Sequence, residues 1–541
     1  MKKLLLSLLI TGLSASFATA QWNRYLDEVY SDVTVTNDVE YGTNWSFLFP
    51  NPLPGFSLKT DVYEPTGDNE TDRAVVIVLH TGNFLPRYLN RSPSGDKSDS
   101  SIVVSSELFA KRGYVAFAPN YRMGWDAANV DQTYGADIRR GTLISAVYRA
   151  LGDVRSLVRY IRKTVAEDGN PYGVNPDNII VYGHGSGGYV SLAYGSLDRI
   201  EELENEATGK WLSTTTTPNG AFTLNELFVN TEVDGNIDGF GGTNNDTNHF
   251  GYSSDVLACV NVGGALGDSA WIEVGEPPII SFHVPDDGFA PFIQGLVIVP
   301  TTQEVVVDVV GSRWASGKVN ELGNNDALYG SNPYTDPYTI RANAALSGSH
   351  LAYSNQEELL NLNPEEYKGL FPFIVPSIAP YPFEESSPWD WWDEQVVLAN
   401  AAPLVGGAVE AQALYDGSIA GSPGMSAARG RAYLDSIQGF LAPRLRQLLM
   451  QDVSVEENDF VSSNLFVYPN PANDYLVVKS NKGIRVTDVE IYDITGKMVR
   501  TENGLNKLSH QINGINQLPS GLYLVKVTTD QGLVTRKVFV D

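Results

Sequence analysis

Gly183-His184-Gly185-Ser186-Gly187-Gly188 is the stretch whose residue types and spacing most suit chemistry. It follows an apolar run, Ile179 to Tyr182, and precedes a helix-compatible segment, Tyr189 to Asp198. Strand, glycine-rich turn and helix in that order can hold a hydroxyl nucleophile at a sharp, strained apex. The pattern for such a turn is Gly-x-Ser-x-Gly. With Gly183 and Gly187 as the flanking glycines, Gly185 takes the apex and Ser186 comes one residue late. A shifted register would expose Ser186 but put His184 where a glycine normally allows close packing. Glycine adopts strained apex dihedrals at little steric cost. Both registers stay open, with Gly185 the simpler reading.

A nucleophile of this kind needs a base, an orienting acid and donors for the developing oxyanion. Asp287 ends the segment Pro277 to Pro291 just past a buried strand, with Asp286 as the neighbouring alternative. His350, in Ser347-Gly348-Ser349-His350, is the base candidate that chain order allows, since His510 lies in the terminal region. Backbone amides around Thr81, Gly82 and Asn83 are the oxyanion candidates; Thr81 stands where a His-Gly-Gly turn has a glycine. Each also has a plainer reading: a glycine turn, an aspartate capping a turn, a surface histidine.

Two further groups have possible ligand chemistry. Asp234-Gly235-Asn236-Ile237-Asp238-Gly239 follows the first half of an oxygen-rich calcium loop, with Asp234, Asn236 and Asp238 as ligands. Its twelfth position is Asn245 and no flanking helices are evident, so a polar turn competes with calcium. Trp389-Asp390-Trp391-Trp392 offers sugar-stacking faces or core packing, and core packing is favoured.

The elements that must position these groups form an α/β pattern. Ala74 to Leu79 is a continuous β-branched run of the kind found in a parallel sheet covered on both faces. A helix-like segment at Ser105 to Lys111 follows, then a strand at Tyr114 to Pro119. A long amphipathic helix runs from about Leu143 to Val165, and then comes the strand into the turn. This predicts a doubly wound, mostly parallel sheet with antiparallel strands leading in over residues 21–72. A loop-rich insertion is expected at about 199–253 and an irregular, aromatic-rich region at about 320–400, with a closing helix from Tyr433 to Leu449. After a polar linker at 452–464, residues 465–541 read as a small all-β sandwich.

Composition narrows the setting. A formal net charge of −27 argues against nucleic acid, whose phosphates need a basic face. Met1-Lys2-Lys3, the apolar run Leu4 to Ile10 and Ala18-Thr19-Ala20 predict a signal peptide over residues 1–20. No later run is apolar for long enough to span a membrane. The single cysteine, Cys259, sits in an apolar stretch and forms no intramolecular disulfide.

Residues of about 56 to 300 resemble the α/β-hydrolase superfamily, in its secreted carboxylesterase-like and dienelactone-hydrolase-like branch. The resemblance rests on Leu58 to Pro65, His80 to Phe84, Phe109 to Tyr121, Asp153 to Gly188 and Pro277 to Pro291. In that family the serine follows the aspartate matched by Asp177 by eight residues, and Gly185 holds that place. The resemblance implies hydrolysis of a small-molecule or polysaccharide ester through an acyl-enzyme, with Ser186, His350 and Asp287 as the triad and no cofactor. Val467 to Ala472, Ile491 to Lys497 and Leu518 to Tyr523 resemble the C-terminal sorting domain of the type IX secretion system. That implies a Bacteroidetes-type bacterium and export through the type IX machinery to the surface or medium. Two functions follow as expectations: an exported serine ester hydrolase, or a non-catalytic surface protein binding glycan or protein, which Gly185 favours.

Overall fold

The computed structural model describes residues 23–48, 52–204, 209–299, 303–329, 334–348, 360–375, 385–451, 464–493 and 497–540. The expected signal peptide, His350 and, apart from Asn464, the expected linker lie outside them. The chain divides into two units, Met1–Gln447 and Leu448–Asp541.

An eight-stranded sheet organises the first unit. Its strands are β1 (Val33–Ser46), β2 (Leu53–Pro65), β3 (Arg73–Leu79), β4 (Val115–Pro119), β5 (Val174–His184), β6 (Ala258–Val262), β7 (Ile279–His283) and β10 (Leu370–Pro372). Their spatial order is β1-β2-β4-β3-β5-β6-β7-β10. The β1–β2 and β2–β4 pairings are antiparallel and the rest parallel. Every residue of β3, β4, β6 and β7 is buried. Their Val, Ile, Ala and Phe runs therefore lack the alternation of a half-solvated strand, as strands covered on both faces should.

Register decides where the loops go. Leu79 pairs with Gly183, His184 with Val262, and Val262 with Phe282. The carboxyl ends of β3, β5, β6 and β7 are thereby level, and the residues after them share one edge of the sheet. Open α/β sheets bind ligands at that edge.

Helices α1 (Ser100–Lys111), α2 (Gly135–Glu167) and α3 (Ser186–Tyr194) connect the central strands. Helix α2 starts eight residues before the periodic stripe at Leu143. Its entry turn is made by Asp131, whose Oδ1 accepts the Thr133 and Tyr134 amides at 2.8 Å. The turn chemistry, not hydrophobic spacing, sets that boundary.

The insertion at 199–253 is mostly turns, with short helices at Glu201–Glu204 and Thr231–Asp234. Buried polar contacts hold it down. Arg122 Nε lies 2.9 Å from Asp153 Oδ1 on α2, and its Nη2 donates to Asn245 Oδ1 at 3.0 Å. Asn44 of β1 accepts from Arg122 Nη1 at 2.9 Å.

After β7 come the hairpin β8 (Gln294–Ile298) and β9 (Val305–Val310), then α4 (Ser312–Glu321) and α5 (Pro337–Leu346). Part of the region read as irregular is thus regular, including α5 and the edge strand β10. The helices α6 (Glu394–Val405), α7 (Ala408–Gly421) and α8 (Ala427–Gln451) follow. Gly406 and Gly407, both at positive φ, make the turn between α6 and α7.

Among the described residues the second unit has seven short strands: β11 (Leu465–Tyr468), β12 (Tyr475–Ser480), β13 (Val486–Asp493), β14 (Met498–Glu502), β15 (Ser509–Asn513), β16 (Gly521–Thr529) and β17 (Gly532–Val540). They form antiparallel sheets in the orders β11-β12-β15 and β14-β13-β16-β17. Leu476, Val478, Ile491, Val525 and Val527 from both sheets share one core, as in a small sandwich.

Candidate active site

Strand β5 ends at His184, Gly185 follows at φ 51° and ψ −114°, and Ser186 opens α3. Those dihedrals lie where L-residues are strained and glycine is not. The turn is pinned by close backbone approach, since a Cβ on Gly183 would lie 2.0 Å from the Gly187 carbonyl oxygen. Gly185 therefore holds the apex.

Of the two registers, this is the one with Gly185 at the apex and Ser186 one residue past it. Ser186 is the first helical residue and only 5% exposed. Its Oγ is 3.1 Å from the Tyr121 hydroxyl, which donates to the His80 carbonyl at 2.7 Å. The Tyr121 proton is thus committed to His80, and Ser186 donates to Tyr121.

The turn after β3 reaches the apex from the other side. A Cβ built on Gly185 would sit 2.1 Å from Thr81 Oγ1 and 2.9 Å from Thr81 Cβ. The Thr81 side chain fills the room an apex side chain would need. Gly82, at φ 133°, passes so close to Gly95 that its own Cβ would be 2.8 Å from the Gly95 Cα. Asn83 and Phe84 follow in left-handed conformations, φ 56° and 54°.

Asp287 lies on the same edge, past β7. Its Oδ1 accepts the Phe289 and Ala290 amides at 2.7 and 3.1 Å. Burial pushes its carboxyl up to about 7, opposed by those amides and the Ser386 hydroxyl. Asp286 is less buried and its carboxyl is also raised by burial. The Ser386 Oγ accepts the Gly288 amide at 3.1 Å. Ser386 belongs to the segment after β10. Sequence reasoning passed over Ser386, because a serine in a long loop carries no spacing signal.

Among the five histidines of the described residues, His283 lies near Asp287 and none borders the cavity. His184 Nε2 is 2.7 Å from the Tyr182 hydroxyl, and burial lowers its imidazole to about 3. His80 stacks on Tyr121 at 4.4 Å. His283 contacts the Ser312 hydroxyl at 2.6 Å and the Ala290 carbonyl at 3.0 Å. It is 3.8 Å from Asp287 Oδ2, but burial lowers its imidazole to about 4, so the two do not form an ion pair. His249 Nε2 is 2.6 Å from the Tyr41 carbonyl oxygen, and His510 belongs to the second unit.

A cavity of about 730 Å³ opens at this edge, with Thr81, Gly82, Asn83, Gly185, Ser186, Asp287 and Ser386 in its wall. Asp390 lines it too; its Oδ1 accepts from the Ser101 hydroxyl at 2.5 Å, and burial raises its carboxyl to about 6. Nearby Asp99 is raised to about 8 by burial. Trp389 is core, 1% exposed, whereas Trp392 borders the cavity.

In the loop expected to suit calcium, each of the three side chains has a protein partner. Asp234 Oδ1 pairs with Arg149 Nη1 at 3.1 Å. Asn236 Oδ1 accepts the Asp238 and Phe240 amides at 3.1 and 2.9 Å. Asp238 Oδ1 accepts from the Ser254 hydroxyl at 3.4 Å. These oxygens close the loop on itself, and among the described residues no three His, Cys, Asp or Glu side chains converge as metal donors.

Strand order, parallel core and the strand–turn–helix at Gly185 define the first unit as an α/β-hydrolase-type fold. Residues 466–541 match the family model of the secretion system C-terminal sorting domain, so the chain is exported by the type IX route to the cell surface or beyond. Among the described residues no helix is long and apolar enough to cross a membrane. A propionate-bound esterase from the Planctomycetes species Thermogutta terrifontis matches at 19% identity with a TM-score of 0.26, over 49% of this chain and 76% of that one. The form of esterase 2 from that organism phosphonylated by sarin matches at 19% identity and a TM-score of 0.27, over 46% of this chain and 75% of the other. An endo-acting ulvan lyase from Formosa agariphila is 32% identical over 83 residues, 15% of this chain. The chain spans 16% of that relative's length.

Proposed function

We propose that the first unit is a non-catalytic α/β-hydrolase-fold protein that binds a ligand outside the cell. One observation carries this: Gly185 offers no reactive atom at the apex, and Thr81 fills the space a serine there would occupy. Acyl transfer through a serine needs a hydroxyl at the apex and a base within hydrogen-bond reach of it. Among the described residues no histidine borders the cavity. Ser186, bonded to Tyr121, is neither at the apex nor beside a base. Asp287 keeps its place but has Ser386 beside it.

The ester-hydrolase reading retains Asp287 and the turn after β3, and it would take a small-molecule or polysaccharide ester with His350 as base. Treating the purified protein with p-nitrophenyl acetate and a fluorophosphonate probe separates the two. The expected result is no turnover and no labelling. Labelling that disappears in Ser186→Ala or Thr81→Ala would establish a nucleophile and overturn the proposal.

A further inference from the structure

The cavity wall is made of two chemically different sets of residues. The segments around the apex bring acceptors, chiefly Ser186, Asp287 and Asp390. Tyr121 gives its proton to the His80 carbonyl, so Ser186 spends its own on Tyr121 and keeps its lone pairs as acceptors. The insertion, the β6–β7 connection and the β8–β9 hairpin bring an apolar wall. In it Trp211 and Trp271 stack with centroids 5.0 Å apart, and Val297, Val307 and Val309 line up from the hairpin. Charge is one-sided. Asp287 and Asp390 are buried, while Arg91, the cation among the described lining residues, is exposed. A ligand anion would be desolvated here beside carboxyl groups and without a buried cation, which is costly. A hydroxyl head would instead find acceptors, and an apolar body would take the place of water along the Trp and Val wall.

We propose that the cavity binds an uncharged amphiphile with a hydroxyl head and a long apolar body. The body lies against Trp211, Trp271 and the β8–β9 hairpin, and the head lies among the acceptors at Ser186 and Asp390. The inference rests on the non-catalytic reading in that the ligand is held and released unchanged.

The test uses the full chain at mildly alkaline pH with the neutral fluorophore N-phenyl-naphthylamine, displaced by decanol or by decanoate. Saturable fluorescence enhancement is expected, with decanol displacing the probe at a concentration about tenfold or more below decanoate. Gly417 of α7 borders the cavity, and a Cβ there meets nothing within 4 Å, so Gly417→Trp starts a large side chain at the cavity edge with no clash at its Cβ. That variant is expected to weaken probe binding about fivefold or more with an unchanged melting temperature. No enhancement, displacement by decanoate as good as by decanol, or full binding by folded Gly417→Trp each overturns the inference. Fluorophosphonate labelling of the same sample keeps the failures apart. Labelling with normal displacement overturns the non-catalytic reading alone, and no displacement without labelling overturns this inference alone.

Discussion

Restoring a serine at the apex should fail unless Thr81 is cut back with it. In Gly185→Ser the new Cβ would lie 2.1 Å from Thr81 Oγ1 and 2.9 Å from Thr81 Cβ, both below any ordinary contact. Relieving such overlap costs about 1–3 kcal/mol. Holding a serine at φ 51° and ψ −114° adds strain of about 1–3 kcal/mol. The single variant should therefore lose about 2–6 kcal/mol, a large part of the stability of an ordinary domain. Trimming Thr81 should return the steric share in steps. Thr81→Ser keeps the hydroxyl, Thr81→Ala removes the closer contact, and Thr81→Gly removes both. Urea unfolding of the four proteins in a Gly185→Ser and Thr81→Gly cycle should show a favourable coupling of about 1–3 kcal/mol. The backbone strain should remain in the double variant. Additivity within about 0.5 kcal/mol would mean that the two side chains do not compete for one space. A Gly185→Ser protein as stable as the parent would show the same.

Two other perturbations test what holds the site. Burial raises Asp287 from 3.8 to about 7, so the folded chain keeps a proton that the unfolded chain releases. This contribution to stability is fully present below the unfolded pKa and is lost as pH rises to the folded one. The loss approaches about 4 kcal/mol at most. Asp287→Asn removes that slope, so urea unfolding should show the variant gaining on the parent between pH 3.8 and about 7; a constant difference would mean that Asp287 ionises normally. Asp153→Ala leaves the Arg122 guanidinium buried without the carboxylate that it meets at 2.9 Å. It should cost about 3–5 kcal/mol in urea unfolding, and a loss below about 1 kcal/mol would show the pair to be dispensable.

Strand runs such as Ala74 to Leu79 and Pro278 to His283 were legible because burial on both faces leaves an unbroken apolar signature. The apex at Gly185 was legible because close packing at Gly183 and Gly187 constrains the spacing. Helix α2 was found but cut short, since its first turns depend on Asp131 and not on an apolar stripe. Ser386 was invisible as a site residue, and Asp390 stood out only as part of an aromatic cluster. They reach the cavity through long connections after β10, and nothing in local spacing reports a contact such as Ser101 to Asp390, 289 positions apart. The calcium pattern has a second reading for a related reason. Asp-x-Asn-x-Asp-Gly is also the signature of a loop that satisfies its own amides, and Asp234 turns to Arg149 instead.

The fold makes unequal demands on the positions where a hydrolase of this type keeps its machinery, and that explains which groups this chain holds. Asp287 closes the turn after β7 by accepting two amides, a task for its side-chain oxygen whether or not a histidine stands beside it. The apex makes the opposite demand. Its dihedrals favour glycine, and a serine there is worth its strain only where chemistry needs it. A base has no comparable role in the fold, and the hydroxyl of Ser386 is enough to hydrogen-bond both Asp287 and the Gly288 amide. On the non-catalytic reading, what the chain keeps is the part of such a site that also holds loops in place, together with the cavity those loops enclose. On this argument an acid in its proper place is poor support for catalysis. The atoms at the apex decide the question, and there the backbone of Gly185 meets the side chain of Thr81.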